Sequence, residues 1–409
     1  MRILALRRDS PRGRFGTVTG VVGPLVTCGL AILVAGLVEI FSSNNNDIVM
    51  LFGINAIMVI GFQLFVGNTG IVSFGHIAFM ALGAYAAGIV SVPNGMRLAV
   101  LPSLPSWAST DVGTLVSLLI GGAVAMMVAL VSGVVILRLS GASASIATLG
   151  LLVITNEVLS NASTFTRGPQ AFFGVPQTAD FAWVFLTLFV VVALSAGYKW
   201  SKAGLRSRAV RDAPLAAETS GVRRLPARLW PFMMSAFITG VAGALYAHYL
   251  GAFSPNSFYV AQIVGVLTMT IIGGLDSISG ALVGSLVISA LNWGLLQLEN
   301  GVSVGSLHIP PAVDISQLVL GLVLIGVLRW RPAGLFGALE LEIDPRPRRW
   351  LRSAPGATHA EAQATDSPMA PAGIGPGESA AGRLAGADTA VRAGSTPPHH
   401  SQRLRGGSW

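Results

Sequence analysis

The sequence predicts an all-α protein that threads a membrane about ten times, judged by runs long enough to cross a bilayer. Three observations carry this. Of 409 residues, 52% are hydrophobic and only 11% charged, with a mean hydropathy of +0.68; a soluble domain carries roughly 25% charged residues. Apolar runs near the ~20 residues that span a bilayer recur along the chain, parted by short polar or basic breaks. When the runs alternate from an inside N-terminus, only Arg97 and Arg167 among the Lys and Arg before the tail fall outside. That asymmetry is the positive-inside bias. The 49 glycines suit helices that pack closely in lipid.

The elements follow in order. Residues 1–16 form a basic cytoplasmic N-terminus with Arg2, Arg7, Arg8, Arg12 and Arg14. Residues 17–41 are a first span, retained because no small-residue cleavage site follows. After a polar outer turn at 42–47, the span 48–66 carries Asn55 and Gln63. An uncharged inner break, 68–76, leads to the Gly/Ala-rich span 77–92. Residues 93–111 lie outside, and 112–137 return inward to Arg138. The next span, 142–159, is short and holds Ser143, Ser145, Thr148, Thr155, Asn156 and Glu157. Residues 161–180 lie outside, and 181–198 run inward. A basic loop, 199–228, precedes the span 229–250, which contains His248. The span 258–272 is broken at 273–277, and 278–298 follows. An outer segment, 299–313, and a last span, 315–328, end at the inside anchor Arg329-Trp330-Arg331-Pro332. The transmembrane domain is thus 17–337. In 338–409, Pro, Ala, Gly, Ser and charge leave no apolar run, so a disordered cytoplasmic tail is expected.

The loop 199–228 is too long for a bare turn. Asp212 is placed to cap a helix with Pro214 in its first turn. Gly221 is placed to stop that helix, with Pro226 beyond. Ala209, Ala213, Ala216, Ala217 and Ser220 fall near one helical face, and Arg208, Arg211 and Glu218 surround it with charge. Two readings stand: a solvated loop that only sets topology, or a docking element for a cytoplasmic partner.

Two short breaks look alike. Ser73-Phe74-Gly75-His76 and Ser277-Ile278-Ser279-Gly280 each follow a glycine interruption and open a small-residue helix. Paired interrupted segments point to an internal repeat with a path between its halves. Asn55, Ser73, His76, Thr148, Glu157 and Asn161 are the polar groups expected to face that interior, since unpaired polar groups are costly in hydrocarbon. The plainer alternative is that Ser and Thr bond their own helix carbonyls. For His76 and His248, a structural role is the more common outcome.

Several chemistries are excluded or unsupported. Cys28 is the only cysteine, so neither an internal disulfide nor a thiolate metal site is available. His399 and His400 are too few ligands for a metal. No paired carboxylates, His cluster or nucleophile–base spacing argues for an enzyme. The net charge of +8 lies beside the spans and in the tail, where it meets membrane lipid and not nucleic acid.

The pattern Ala216-Ala217-Glu218, with Gly221 three residues on, resembles the coupling loop of ABC-importer permeases, in the variant found in branched-chain amino-acid permeases. Other stretches resemble the same family in the right order: VGNTGIVSFGHIAFMALGAY at 66–85, ALYAHYLGAFSPNS at 244–257, IIGGLDSISGALVG at 271–284 and QLVLGLVLIGVLRWRPAGLFG at 317–337. Asp276 stands where the family often has Gly. Thr166-Arg167-Gly168-Pro169 departs from a frequent Gly-Gly-Pro. The likeness covers about residues 48–337.

The resemblance implies a bacterial inner-membrane importer with both termini of this chain cytoplasmic. Its other parts would be a second, homologous permease subunit, ATP-binding subunits and an extracytoplasmic substrate-binding protein. It implies coupling through Arg208, Arg211, Asp212, Ala216, Ala217, Glu218 and Gly221, with alternating access driven by the partner ATPases. This chain has no Gly-x-x-x-x-Gly-Lys-Ser/Thr loop, so ATP would be a cofactor of the partners only. Permeases for urea or short amides look similar, and a stand-alone secondary transporter is the alternative from another class.

Overall fold

The computed structural model describes residues 14–41, 46–93, 95–96, 112–139, 141–299, 303–304, 307–308, 315–330 and 334–335. The chain falls into two units, 1–345 and 346–409, and every described residue lies in the first. The basic segment 1–13, most of the outer segment 93–111 and the tail 338–409 lie outside the described residues.

Ten apolar helices are present among the described residues. Eight are long and apolar enough to cross a membrane, and two shorter ones, His76–Ser91 and Ser316–Trp330, complete the set. They are α1 (Arg14–Phe41), α2 (Asn46–Thr69), α3 (His76–Ser91), α4 (Thr114–Ile136) and α5 (Ala142–Asn161). After a single turn, α6 (Ser163–Thr166), and strand β1 (Phe172–Phe173), α7 (Phe181–Trp200) follows. Two short polar helices, α8 (Lys202–Asp212) and α9 (Pro214–Thr219), lead into α10 (Arg224–Leu250). Strand β2 (Ala252–Phe253) and a 3-10 turn (Pro255–Phe258) precede α11 (Val260–Gly273), α12 (Ile278–Glu299) and α13 (Ile315–Trp330).

The centre of the molecule is α2, buried on nearly all sides by α10, α12, α7 and α11. A second packed layer joins α3, α4 and α10. Glycine makes that layer possible. A Cβ on Gly83 would collide with the backbone of Gly240, and one on Gly121 with the carbonyl of Gly83. One on Gly243 would collide with the carbonyl of Met80. Without side chains here, three helix backbones touch directly, and packing of this kind drives association where lipid removes the hydrophobic force.

The two breaks share a local device. The Ser73 hydroxyl accepts from the Gly75 amide at 3.3 Å, and the Ser277 hydroxyl accepts from the Gly280 amide at 3.0 Å. Both serines are fully buried. Each therefore satisfies a backbone donor that the interrupted helix leaves open. Packing beyond the breaks differs. Helix α12 folds back on α11, whereas α3 packs chiefly on α10 and α4.

His76 illustrates how the core handles a polar side chain. Its ring is enclosed by Phe62, Phe65, Phe79 and Phe232, with centroids 5.3 to 5.8 Å away. Nε2 lies 2.6 Å from Ser235 Oγ, and that hydroxyl donates to the Gly61 carbonyl at 2.7 Å. A hydroxyl has one hydrogen, so His76 must carry its proton on Nε2 and donate it to Ser235. Ser235→Ala should lower stability by about 1–3 kcal/mol, because it leaves that donor buried and unpaired. Thermal unfolding in detergent checks this. An unchanged midpoint would mean that the serine does not hold the ring.

At the end of α10 lies an aromatic cluster. Phe172 pairs with Phe253 across the two-stranded β1–β2 ribbon, rings 5.5 Å apart. Tyr85 packs edge-on against both, and Phe258 packs on Phe253. Arg167, the one described non-glycine residue with positive φ, sets its guanidinium 4.3 Å over the Phe173 ring.

Candidate coupling site

The loop expected to carry one helix from Asp212 to Gly221 carries two helices, α8 and α9. Asp212 does not cap: it is the last residue of α8, and Ala213, with φ −145° and ψ 78°, makes the corner. The reason is local. Pro214 disfavours helical backbone at the residue before it, so α8 must stop there. Pro214 itself opens α9. The cap of α8 is Ser201, whose hydroxyl accepts from the Gly204 amide at 3.2 Å.

Gly221 stops α9 as expected, at φ +80°. The Val222 amide bonds the Ala217 carbonyl at 3.0 Å and the Gly221 amide bonds Glu218 O at 2.9 Å. These two bonds form a Schellman closure, which needs a left-handed residue at this place. Arg223, the cap of α10, precedes a helix that begins earlier than the apolar run suggests, at Arg224. Arg224 then reaches back, and its Nη2 lies 2.9 Å from Glu218 Oε2.

The small-residue face is mostly exposed. Ala209, Ala213, Ala216 and Ser220 face solvent, while Ala217 is buried. Leu205 and Leu215 flank that surface at 54% and 73% exposure. Beneath it, Tyr198 donates to Ser207 at 2.9 Å and Ser207 donates to the Ala227 carbonyl at 2.6 Å, tying α7, α8 and α10 together. Arg208 donates to the Lys199 carbonyl at 2.7 Å and lies 5.7 Å over the Trp200 ring.

Arg211 is the junction. One guanidinium nitrogen donates both to the Gly67 carbonyl and to Asp276 Oδ1, the latter at 2.5 Å. Its Nε donates to Asp212 at 2.8 Å. The Arg211 stem lies where a Cβ on Gly70 would sit. Lys199 donates to the Asp276 carbonyl, and Gln63 of α2 donates to the Leu275 carbonyl at 3.2 Å. Thus α8 is bonded to the first break through Gly67 and to the second through Asp276. Burial works against the Arg211 charge, but Asp212 and Asp276 more than offset it and hold the guanidinium above its ordinary value. The guanidinium therefore stays charged at any physiological pH.

The expected path residues separate. Ser73, His76 and Thr148 gather at the first break, all fully buried. Thr148 of α5 accepts from the Phe74 amide at 3.0 Å and donates to its own Ser145 carbonyl at 2.7 Å. Asn55 lies elsewhere, in a cavity of about 450 Å3 with Asp47, Asn292 and Gln297, and accepts from Gln262 at 3.4 Å. Glu157 and Asn161, expected to face the interior, are exposed near the end of α5. There Asn161 donates to Glu157 Oε1 at 2.7 Å. The polar residues of α5 are spread around the helix, so its sequence does not say which side is buried. Sequence reasoning missed Gln63, Gly67 and Lys199 as parts of the junction. For Asp276 there was a signal, an acidic residue in a glycine-rich turn.

Comparison with known proteins identifies the family. Residues 45–328 match the family of the branched-chain amino acid transport system / permease component. The chain belongs to this permease family. The permease is 25% identical over 335 residues to the high-affinity branched-chain amino acid transport system permease protein LivM of Salmonella typhimurium, covering 72% of this chain and 70% of that one. It is 25% identical to LivM of Escherichia coli K12 over 71% of this chain and 69% of that protein. It is 26% identical to a probable LivH of Methanocaldococcus jannaschii over 57% of this chain and 74% of the relative. No solved structure matches. The permease is accordingly a multi-pass membrane transport component.

Proposed function

We propose that this permease is the membrane-spanning subunit of an ATP-driven importer of branched-chain amino acids. The observation that carries the reading is the Arg211 junction, which bonds a small, exposed helix pair to both interrupted segments at once. In this reading, α8 and α9 lie on the cytoplasmic side of a bacterial inner membrane, as do both termini. A partner ATPase seats on the face of Ala209, Ala213, Leu215 and Ala216, with Glu218, Arg208 and Arg211 beside it. Closure of the ATPase pair shifts α8, and the junction passes that shift to the two breaks, so that access alternates between sides. The partners' nucleotide states supply the energy, since a conformational equilibrium moves only as far as differential binding drives it. A second permease subunit and an extracytoplasmic binding protein complete the importer. The amino-acid substrate rests on the relatives' names. A stand-alone transporter would draw on Glu157, which lies exposed and bonded to Asn161.

Three measurements test this. Glu218→Arg places a like charge beside Arg224 and should abolish ATP-dependent leucine uptake while the protein still accumulates in membranes. Uptake competed by urea and not by leucine or valine would replace the substrate assignment. Cys28 is buried, so Ala216→Cys offers one exposed thiol among the described residues. Labelling of that thiol by an impermeant reagent outside intact cells would overturn the orientation.

A further inference from the structure

A cavity of about 660 Å3 opens where α7, α8 and α10 converge, outside the Arg211 junction. Its floor is apolar surface of the spanning helices, including Trp230, Met234 and Ala227. Its rim carries Arg206 and Arg223, both exposed. Among the described residues, no carboxylate lines it. The nearby acids are already engaged, Glu218 by Arg224 and Asp212 by Arg211. Among the described residues, neither Arg206 nor Arg223 has an ion-pair or hydrogen-bond partner, so the rim presents two uncompensated positive charges. Trp230 is 60% exposed one turn and a half into α10. Exposed tryptophans at span ends sit at the level of lipid headgroups.

The cavity is therefore amphipathic along its depth, with cations at headgroup level and an apolar wall running into the bilayer. Basic recesses between spanning helices hold anionic headgroups. We propose that this cavity seats an anionic phospholipid, its phosphate between Arg206 and Arg223 and its acyl chains along Trp230 and Met234. Residues 220–222, the end of the α9 turn, form one wall, so the lipid would buttress the helix pair from beneath. The proposal holds with or without an ATPase partner.

The test uses the full chain in phosphatidylcholine nanodiscs doped with brominated phosphatidylglycerol or brominated phosphatidylcholine. Trp230 quenching is read as the difference between the natural protein and Trp230→Phe. Each arginine near an anionic surface is worth roughly fivefold in affinity, so phosphatidylglycerol should be preferred by about tenfold to thirtyfold. Arg206→Gln with Arg223→Gln should erase the preference. Equal quenching by both lipids in the natural protein would overturn the site, as would a preference that survives in the double variant. Relief of quenching by added inorganic phosphate would mark a soluble-anion site and overturn the lipid assignment.

Discussion

On the proposed coupling, Arg211→Gln should leave a partner ATPase hydrolysing ATP while solute uptake falls about tenfold or more, the factor given by ~1.4 kcal/mol. The Arg211 side chain is only 23% exposed, and it makes three charge-assisted contacts to groups that are far apart in the chain. Glutamine is shorter and uncharged, so its amide cannot bring a charged donor to Gly67 and Asp276 together as the guanidinium nitrogen does. Asp276 is 44% exposed, so solvent screens the pair and the full buried-pair penalty does not apply. What is lost is the bond between α8 and the breaks. Asp276→Asn should act in the same direction more weakly, and the double variant should be no worse than Arg211→Gln if both residues act through one contact. Uptake and hydrolysis are measured together in proteoliposomes. Parallel loss of both activities, or additive losses in the double variant, would remove the junction from the mechanism.

The second large effect concerns packing. Gly83→Val should prevent stable folding, with a loss exceeding ~3 kcal/mol, at the upper end of overpacking penalties. The added carbons would meet the Gly240 backbone, which cannot rotate away as a side chain can. Gly150→Ala is the matched comparison, since nothing lies within 4 Å of the place its new methyl would occupy, and it should leave stability unchanged or slightly higher by helix propensity. Thermal unfolding of both purified variants decides. Equal behaviour would show that the three-helix crossing tolerates separation.

The contrast between those two glycines marks what the sequence conveys. All ten apolar helices are readable from run length, because lipid demands length and apolarity whatever the tertiary fold. The stop at Gly221 is readable because it is a property of a single residue, whereas the end of α8 before Pro214 reads in sequence as a helix start at Asp212. Which glycine touches a neighbour is not readable: Gly83 and Gly150 both lie in apolar helices, and only the fold brings Gly240 to one of them. Neither α2 nor α5 confines its polar residues to one side, so neither sequence betrays how far the helix is buried. The former is enclosed and the latter is largely exposed. Asp212 is legible as a helix-boundary residue but not as a partner of Arg211, because a cap and an ion pair ask for the same carboxylate. The bonds from Arg211 to Gly67 and Asp276 span 144 and 65 positions, and no local periodicity encodes such distances.

The rings of Phe172, Phe253 and Tyr85 fasten the far end of α10 to its neighbours, while the opposite end begins at Arg224, beside the exposed helix pair. With 27 residues, α10 is about 40 Å long at 1.5 Å per residue. The cluster is then a fulcrum and the helix a long arm. A tilt of roughly 5° about it would sweep the Arg224 end through about 3–4 Å for a rod of that length.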